Sequence, residues 1–278
     1  MCALPISRVC ELRLPRLLSP GWWYAGLIAG FLYLPILVLV LFSLNDSLTL
    51  VFPLRGFTLR WYGELFDSPE LLSALRNSLW VGLLSSLVAT ALGTAAGLAV
   101  TRFRFRLRGA FLTVSTIPLV IPSCVLGVSL LLVFAELGVP LSLWAVGIGH
   151  AVINIPYVML IVTARLVGFS EHIEEAAMDL GASYWETLLR VTLPISAPAL
   201  LAAFLSSFTT SFDEFAVAFF LIGTEATLPV YLYSQLRFPS RLPLVVSLTS
   251  LIMVASVLVV LLTIWLQGMG GGARKAKA

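Results

Sequence analysis

An all-α polytopic membrane protein is what this sequence predicts, and three observations carry that reading. The 278 residues are 59% hydrophobic and only 11% charged, with a mean hydropathy of +1.01, outside the balance of a soluble domain. Six stretches are long enough to cross a bilayer, which takes about 20 apolar residues each: Trp22–Ser43, Asn77–Val100, Ala110–Ala135, Leu143–Ala164, Ala197–Ile222 and Leu244–Leu266. The alternating strands of about ten residues that build membrane barrels are absent. In lipid, where the backbone finds no solvent partner, the helix is then the structure that pairs every group internally.

The first span follows arginines and has the outline of a signal peptide, but its apolar run is too long and lacks a small-residue cleavage site, so it stays as a helix. Trp22, Trp23 and Tyr24 form an interfacial belt at one end. The segment 44–76 is the longest outside the spans. It is either a set of short helices over a pore mouth, or facing an external partner, or an interfacial connector. The chain divides into 1–72 (N-terminus, first span and outer loop), a five-span core 73–266, and a glycine-rich, then basic tail 267–278.

Charge orients the spans. With the N-terminus inside, cytoplasmic segments collect twelve of the 17 basic residues: Arg8, Arg13, Arg16, Arg102, Arg104, Arg106, Arg108, Arg165, Arg190, Arg274, Lys275 and Lys277. Outer segments hold Arg55, Arg60, Arg76, Arg237 and Arg241, so the positive-inside rule puts both termini in the cytoplasm. The net charge of +3 therefore reports topology and contact with lipid, and no nucleic-acid partner is expected. Cys2, Cys10 and Cys124 show neither a disulfide framework nor metal spacing. No HExxH, GxSxG or phosphate loop is present, which argues against an enzyme and implies no cofactor or metal. A P-loop needs a lysine at the phosphates, and the only lysines are Lys275 and Lys277 in the tail.

The stretch Glu171–Pro194, EHIEEAAMDLGASYWETLLRVTLP, is the hydrophilic loop after the fourth span. Ile173, Ala176, Ala177 and Leu180 fall at i, i+3, i+4 and i+7, one stripe of a short helix. Glu171, Glu174 and Glu175 crowd its first turns, where the helix dipole favours anions. Gly181 stands where a left-handed cap is expected, and Ser183-Tyr184-Trp185-Glu186 is a capping box that starts a second helix. Pro194 and Pro198 are expected to interrupt the approach to the fifth span. A free surface helix has the same periodicity, so the pattern by itself leaves docking and simple solvent exposure both open.

Within the fifth span lies Ser211-Phe212-Asp213-Glu214-Phe215. A carboxylate facing lipid costs about 2.5–3.5 kcal/mol, and no Lys or Arg lies in any of the six spans to pair with it. At least one of Asp213 and Glu214 therefore faces a polar pathway or a basic partner that another subunit supplies, or a break at Ser211 places both in an outer loop. Neighbouring helical residues point about 100° apart, which gives the two acids different roles. His150 reads as a neutral histidine bonded between helices, or as a proton relay. Asn154-Ile155-Pro156-Tyr157 is a kinked polar stretch.

The loop resembles the EAA loop of the inner-membrane permease subunits of binding-protein-dependent ABC importers: E-A-A, three residues, Gly, nine residues, I-x-L-P. Here the register is Glu175-Ala176-Ala177, Gly181 and Val191-Thr192-Leu193-Pro194, with valine for isoleucine, and the resemblance runs from about Ser73 to Leu266. It implies that Glu175, Ala176, Ala177 and Gly181 dock a cytoplasmic ATP-binding subunit, and that a second permease and an external solute-binding protein complete the transporter. Ser211–Phe215, with Thr227-Leu228-Pro229-Val230-Tyr231, further resembles the spermidine/putrescine permease group, which more often has Asp-Asp at Asp213-Glu214. That resemblance implies a cationic substrate, a polyamine, drawn by the carboxylates. An ABC permease for another small solute, a self-contained ion-coupled transporter protonated at Asp213 or Glu214, and a scaffold without transport are the competing readings; ATPase dependence of uptake separates the importer from the self-contained transporter.

Overall fold

The computed structural model describes residues 20–168, 170–254 and 257–258. In chain order its helices are α1 (Pro20–Ser43), α2 (Arg60–Phe66), α3 (Pro69–Arg102), α4 (Arg108–Val120), α5 (Ser123–Glu136), α6 (Leu143–Val167), α7 (Glu171–Asp179), α8 (Tyr184–Thr187), α9 (Leu193–Asp213), α10 (Ala216–Leu221) and α11 (Leu228–Gln235), followed by α12 (Pro239–Val254). The side chain of Trp22, residues Cys2, Cys10, Arg8, Arg13, Arg16, Arg274, Lys275 and Lys277, and the last part of the sixth expected span lie outside the described residues.

Contacts divide the chain into two units, one of residues up to Leu65 with those from Phe238 onward, the other Phe66–Arg237. The first unit is tied at the end of α1. Ser43 Oγ lies 2.7 Å from the Tyr62 hydroxyl of α2 and donates to Ser250 Oγ of α12 at 3.4 Å, while Ser247 Oγ donates to the Ser43 carbonyl at 3.2 Å. Buried Trp61 donates its indole N–H to the Asn45 carbonyl at 2.9 Å. A short helix thus forms in the outer loop, and Arg60 covers its Trp61 ring at 4.3 Å.

The second unit is built on α3 and α6, which run parallel. Gly93 and Gly97 of α3 face Val158 and Val162 of α6, and a Cβ built on Gly93 would lie 2.7 Å from the Val158 side chain and 2.9 Å from the Ile155 carbonyl. Small residues let two membrane helices approach this closely, so packing replaces the hydrophobic drive that lipid does not supply. Ala89, Val158, Val162, Leu166 and Ala203 form the resulting core with α9. A second core of Val81, Phe134, Ala145, Val146, Val217, Ala218 and Leu221 joins α3, α5, α6 and α10.

Among the described residues four helices are long and apolar enough to span a membrane, five if one bent pair is a single span. That pair corrects the third expected span: Ala110–Ala135 is α4 and α5, bent by 107°. Pro122 has no N–H to give, and it forces Ile121 into an extended conformation with ψ 129°, as the residue before a proline prefers. The fifth expected span, Ala197–Ile222, is also corrected. Its helix starts at Tyr184 and ends at Asp213, and α10 follows a break at Glu214–Phe215. Nor do Pro194 and Pro198 interrupt its approach. A wide π turn, Leu188–Thr192, joins α8 to α9 and bonds the Leu193 N–H to the Leu188 carbonyl. The wider turn accommodates a proline that cannot donate.

Gly93→Ala should therefore destabilise the protein by about 1–3 kcal/mol through overpacking. Gly30→Ala in α1, where a Cβ meets nothing within 4 Å, should be neutral. Thermal unfolding in detergent checks the contrast, and equal midpoints would refute the close α3–α6 approach.

Candidate functional site

Two places in the second unit gather the chemistry, one at each end of α9. At its start lies the loop. Glutamates at Glu171 and Glu174 sit in the first turn of α7, where the dipole favours them. At the C-terminal end the Gly181 N–H donates to the Met178 carbonyl at 2.9 Å and the Ala182 N–H to the Ala177 carbonyl at 3.1 Å. This is a complete Schellman cap, and it needs the left-handed φ of +94° that Gly181 adopts. A Cβ at Gly181 would meet nothing within 4 Å, so the glycine answers a backbone demand and leaves the surface above it open. Two residues on, the Ser183 N–H donates to the Glu186 carboxylate at 2.9 Å and the Glu186 N–H to Ser183 Oγ at 3.3 Å. This capping box starts α8.

The apolar stripe of this loop turns away from the chain's own core. Leu180 is 90% exposed, Trp185 68% and Ile173 46%. Glu175 and Ala176 are exposed as well, and Ala177 is half-buried. Glu175 accepts from His172 at 2.9 Å. That hydrogen bond, then the charge of Glu175, raises the His172 pKa above 6.5. The pair's contribution is complete below pH 6.5 and is lost as pH rises through the raised value.

Glu174 behaves differently from its neighbour. Its carboxylate is 13% exposed and receives the Arg102 guanidinium at 2.8 Å; the Arg102 side chain is 9% exposed. The other carboxylate oxygen accepts from Thr192 Oγ1 at 2.8 Å. Arg102 also donates to the Leu166 carbonyl at 3.3 Å and lies 3.6 Å from Glu171. As the last residue of α3 beside the end of α6, it places a cation where two helix dipoles are negative. Phe103 and Tyr184 meet edge to face at 5.9 Å. One carboxylate thus fastens the loop to the ends of α3 and α6 and to the start of α9. In the sequence Arg102 reads only as a topology charge and Glu174 only as a dipole charge; an arginine closing an uncharged run of 25 residues (77–101) is the signal that points to the pair.

The far end of α9 holds the acids. Ser211 Oγ, buried, lies 2.9 Å from Ser85 Oγ of α3 and 2.7 Å from His150 Nδ1 of α6. The histidine is thus bonded between helices, and Asn154 donates back to the His150 carbonyl of its own helix at 2.9 Å. Asp213 ends α9 with an exposed side chain. Glu214 lies in the break, half-buried, and its carboxylate accepts the Val217 N–H at 3.2 Å, which caps α10. Among the described residues neither acid forms an ion pair. The rings of Phe204, Phe208 and Phe212 stack along α9 at 6.5 and 6.2 Å, and beyond the break Phe215 meets Tyr233 at 4.9 Å. The structure therefore separates the two expected groups, Glu175, Ala176, Ala177 and Gly181 at one end and Asp213 with Glu214 at the other, and joins them through one helix.

Residues 89–269 match the family described as binding-protein-dependent transport system inner membrane component. The chain is 34% identical over 247 residues to the spermidine/putrescine transport system permease protein PotC of Escherichia coli, covering 88% of this chain and 92% of that one. It is 38% identical over 237 residues to the putrescine transport system permease protein PotI of the same species, covering 81% and 83%. A crystal structure of a bacterial ABC transporter involved in the import of the acidic polysaccharide alginate superimposes with a TM-score of 0.68 at 17% identity, over 87% of this chain and 93% of that one. At that identity the likeness speaks for the fold.

Removing one partner of the Arg102–Glu174 pair leaves the other charge partly buried, at a cost of about 2–3 kcal/mol. Glu174→Ala and Arg102→Ala should each raise deuterium uptake in residues 171–182, and the double variant should add little to either. Unchanged exchange in both single variants would show that the loop is held by something else.

Proposed function

Because this chain belongs to the family of binding-protein-dependent transport system inner membrane components, we propose that it imports polyamines such as putrescine and spermidine, driven by ATP hydrolysed on a partner subunit docked at the Glu175–Gly181 loop. It is a multi-pass permease subunit of an ABC importer, not itself an enzyme. The single observation that carries the coupling is the loop's construction. Its apolar stripe faces outward while the largely shielded Glu174 carboxylate fixes its inner side to three helices. An ATP-binding subunit gripping Ala176, Ala177, Leu180 and Gly181 pulls on Glu174, and through Thr192 and Arg102 on α9, α3 and α6. A second permease and an external solute-binding protein complete the assembly, and both termini are cytoplasmic by the bias of the arginines.

The cationic substrate follows from the other end of α9. Ser211 touches Ser85, which lies four residues, about 6 Å of rise, from the middle of the uncharged run of α3. Asp213 is about 3 Å farther along α9, inside a hydrocarbon core about 30 Å thick. A carboxylate held at that depth without a cation of its own is stabilised by one that passes. The aromatic faces of the Phe204–Phe208–Phe212 stack also favour ammonium groups. Glu214 is partly committed to the Val217 N–H, so Asp213 is the acid freer to meet substrate.

Asp213→Asn should lower polyamine uptake about tenfold or more, corresponding to about 1.4 kcal/mol or more of lost attraction. Glu214→Gln, which keeps an acceptor for the Val217 N–H, should lower it less. Uptake is measured into proteoliposomes holding the assembled transporter and ATP, normalised to complex. Unchanged uptake in the double variant would rule out the pathway role.

A further inference from the structure

A cavity of about 440 Å³ opens on the second unit at the end opposite the loop, lined among others by Arg76, Trp80, Val81, Leu84, Trp144 and Glu225. Its walls are graded. Arg76 is the last charge before the uncharged run of α3, and Asn77 follows it. Trp80 and Leu84 succeed them on the same helix face at intervals of four, so the apolar floor lies about 12 Å along α3 from the guanidinium. Trp144 stands in the first turn of α6, and Glu225 projects from the stretch between α10 and α11. Both ionised side chains are exposed, and among the described residues neither forms an ion pair. One cation and one anion therefore share the polar rim of a greasy slot, at the level where tryptophans anchor a membrane protein.

From this arrangement we infer that the cavity is a binding site for one zwitterionic phospholipid with a primary ammonium headgroup, phosphatidylethanolamine. Its phosphate diester meets Arg76, its ammonium donates to Glu225, and an acyl chain lies along Trp80, Val81 and Leu84. The volume falls within the usual range for small-molecule sites, about 300–1,000 Å³. A polyamine does not suit the slot, because a second ammonium would face the Arg76 guanidinium. A purely anionic lipid leaves Glu225 uncompensated, and a choline headgroup cannot donate a hydrogen bond to it. The site lies about 39 Å along α3 from Arg102, so it is separate from the coupling loop, and its occupancy is independent of which substrate the permease carries.

Native mass spectrometry of the full chain tests this with an equimolar mixture of phosphatidylethanolamine, phosphatidylglycerol and phosphatidylcholine. The expected result is about tenfold preferential retention of phosphatidylethanolamine, the scale of one charge-assisted hydrogen bond. Glu225→Gln should reduce that lipid to the level of phosphatidylglycerol, while Arg76→Gln should lower both. Soluble glycerophosphoethanolamine at equal concentration should not compete; if it does, the site reads the headgroup alone and the lipid assignment fails. No headgroup preference, or a preference untouched by either substitution, overturns the proposal. A photoreactive side chain at Leu84 in the assembled transporter should yield a lipid adduct, and a crosslink to a polypeptide would instead identify a subunit interface and overturn it.

Discussion

One carboxylate fixes how the second unit is put together. Glu174 holds Arg102 with one oxygen and Thr192 with the other, and Arg102 in turn reaches the end of α6. Three helix ends and the loop therefore converge on a single charge that is largely shielded from water. Such a pair contributes modestly to stability, because desolvation offsets most of its attraction, but it is costly to leave half-made. Its value here is geometric. A short helix such as α7 is marginal by itself, and the Glu174 contacts tie its inner face to α3, α6 and the start of α9. On the outer side Ile173 of α7, Leu180 after it and Trp185 of α8 stay exposed.

The interior of the unit follows the same economy of polar groups. Lipid provides no partners, so Ser85, His150 and Ser211 bond to one another across three helices. Two residues later the chain stops being helical, and Glu214 turns back to cap the next short helix. The break turns Asp213 from a mid-helix charge into a helix-end charge. It also lets α10 pack Val217, Ala218 and Leu221 against α5 and α6. In the coupling proposed above, α9 is the element that links the loop to this point, since it begins beside Thr192 and ends at Asp213.

What was legible in the sequence was what is local. The Gly181 turn, the Ser183–Glu186 capping box and the helical stripe are each written within eight residues or fewer, and each appears as expected. The transmembrane character follows from composition, and the boundaries of α1 and α6 from hydropathy. The Arg102–Glu174 pair was not legible, since its members are 72 positions apart and each has an adequate local explanation. The bend of 107° between α4 and α5 was hidden because hydropathy continues through it, although Pro118 and Pro122 stand in the run. The break at Glu214 was hidden in the same way by the apolar residues of α10. Conversely, Pro194 announced an interruption that a π turn absorbed. Prolines mark where a helix must adjust, and the neighbouring packing decides between a bend and a wider turn.

If the loop passes movement from an ATP-binding subunit to α9, as proposed above, a change at Gly181 must uncouple the two. Among the described residues nothing lies within 4 Å of a Cβ built on the glycine, so Gly181→Asp adds backbone strain at a left-handed position and a charge on the open surface without disturbing the helices beneath. The measurement is co-purification of the ATP-binding subunit with the membrane-inserted variant, with uptake recorded on the same preparation. The expected result is normal insertion with loss of both the bound subunit and transport. A variant that retains its ATP-binding subunit and transports at the normal rate would contradict it.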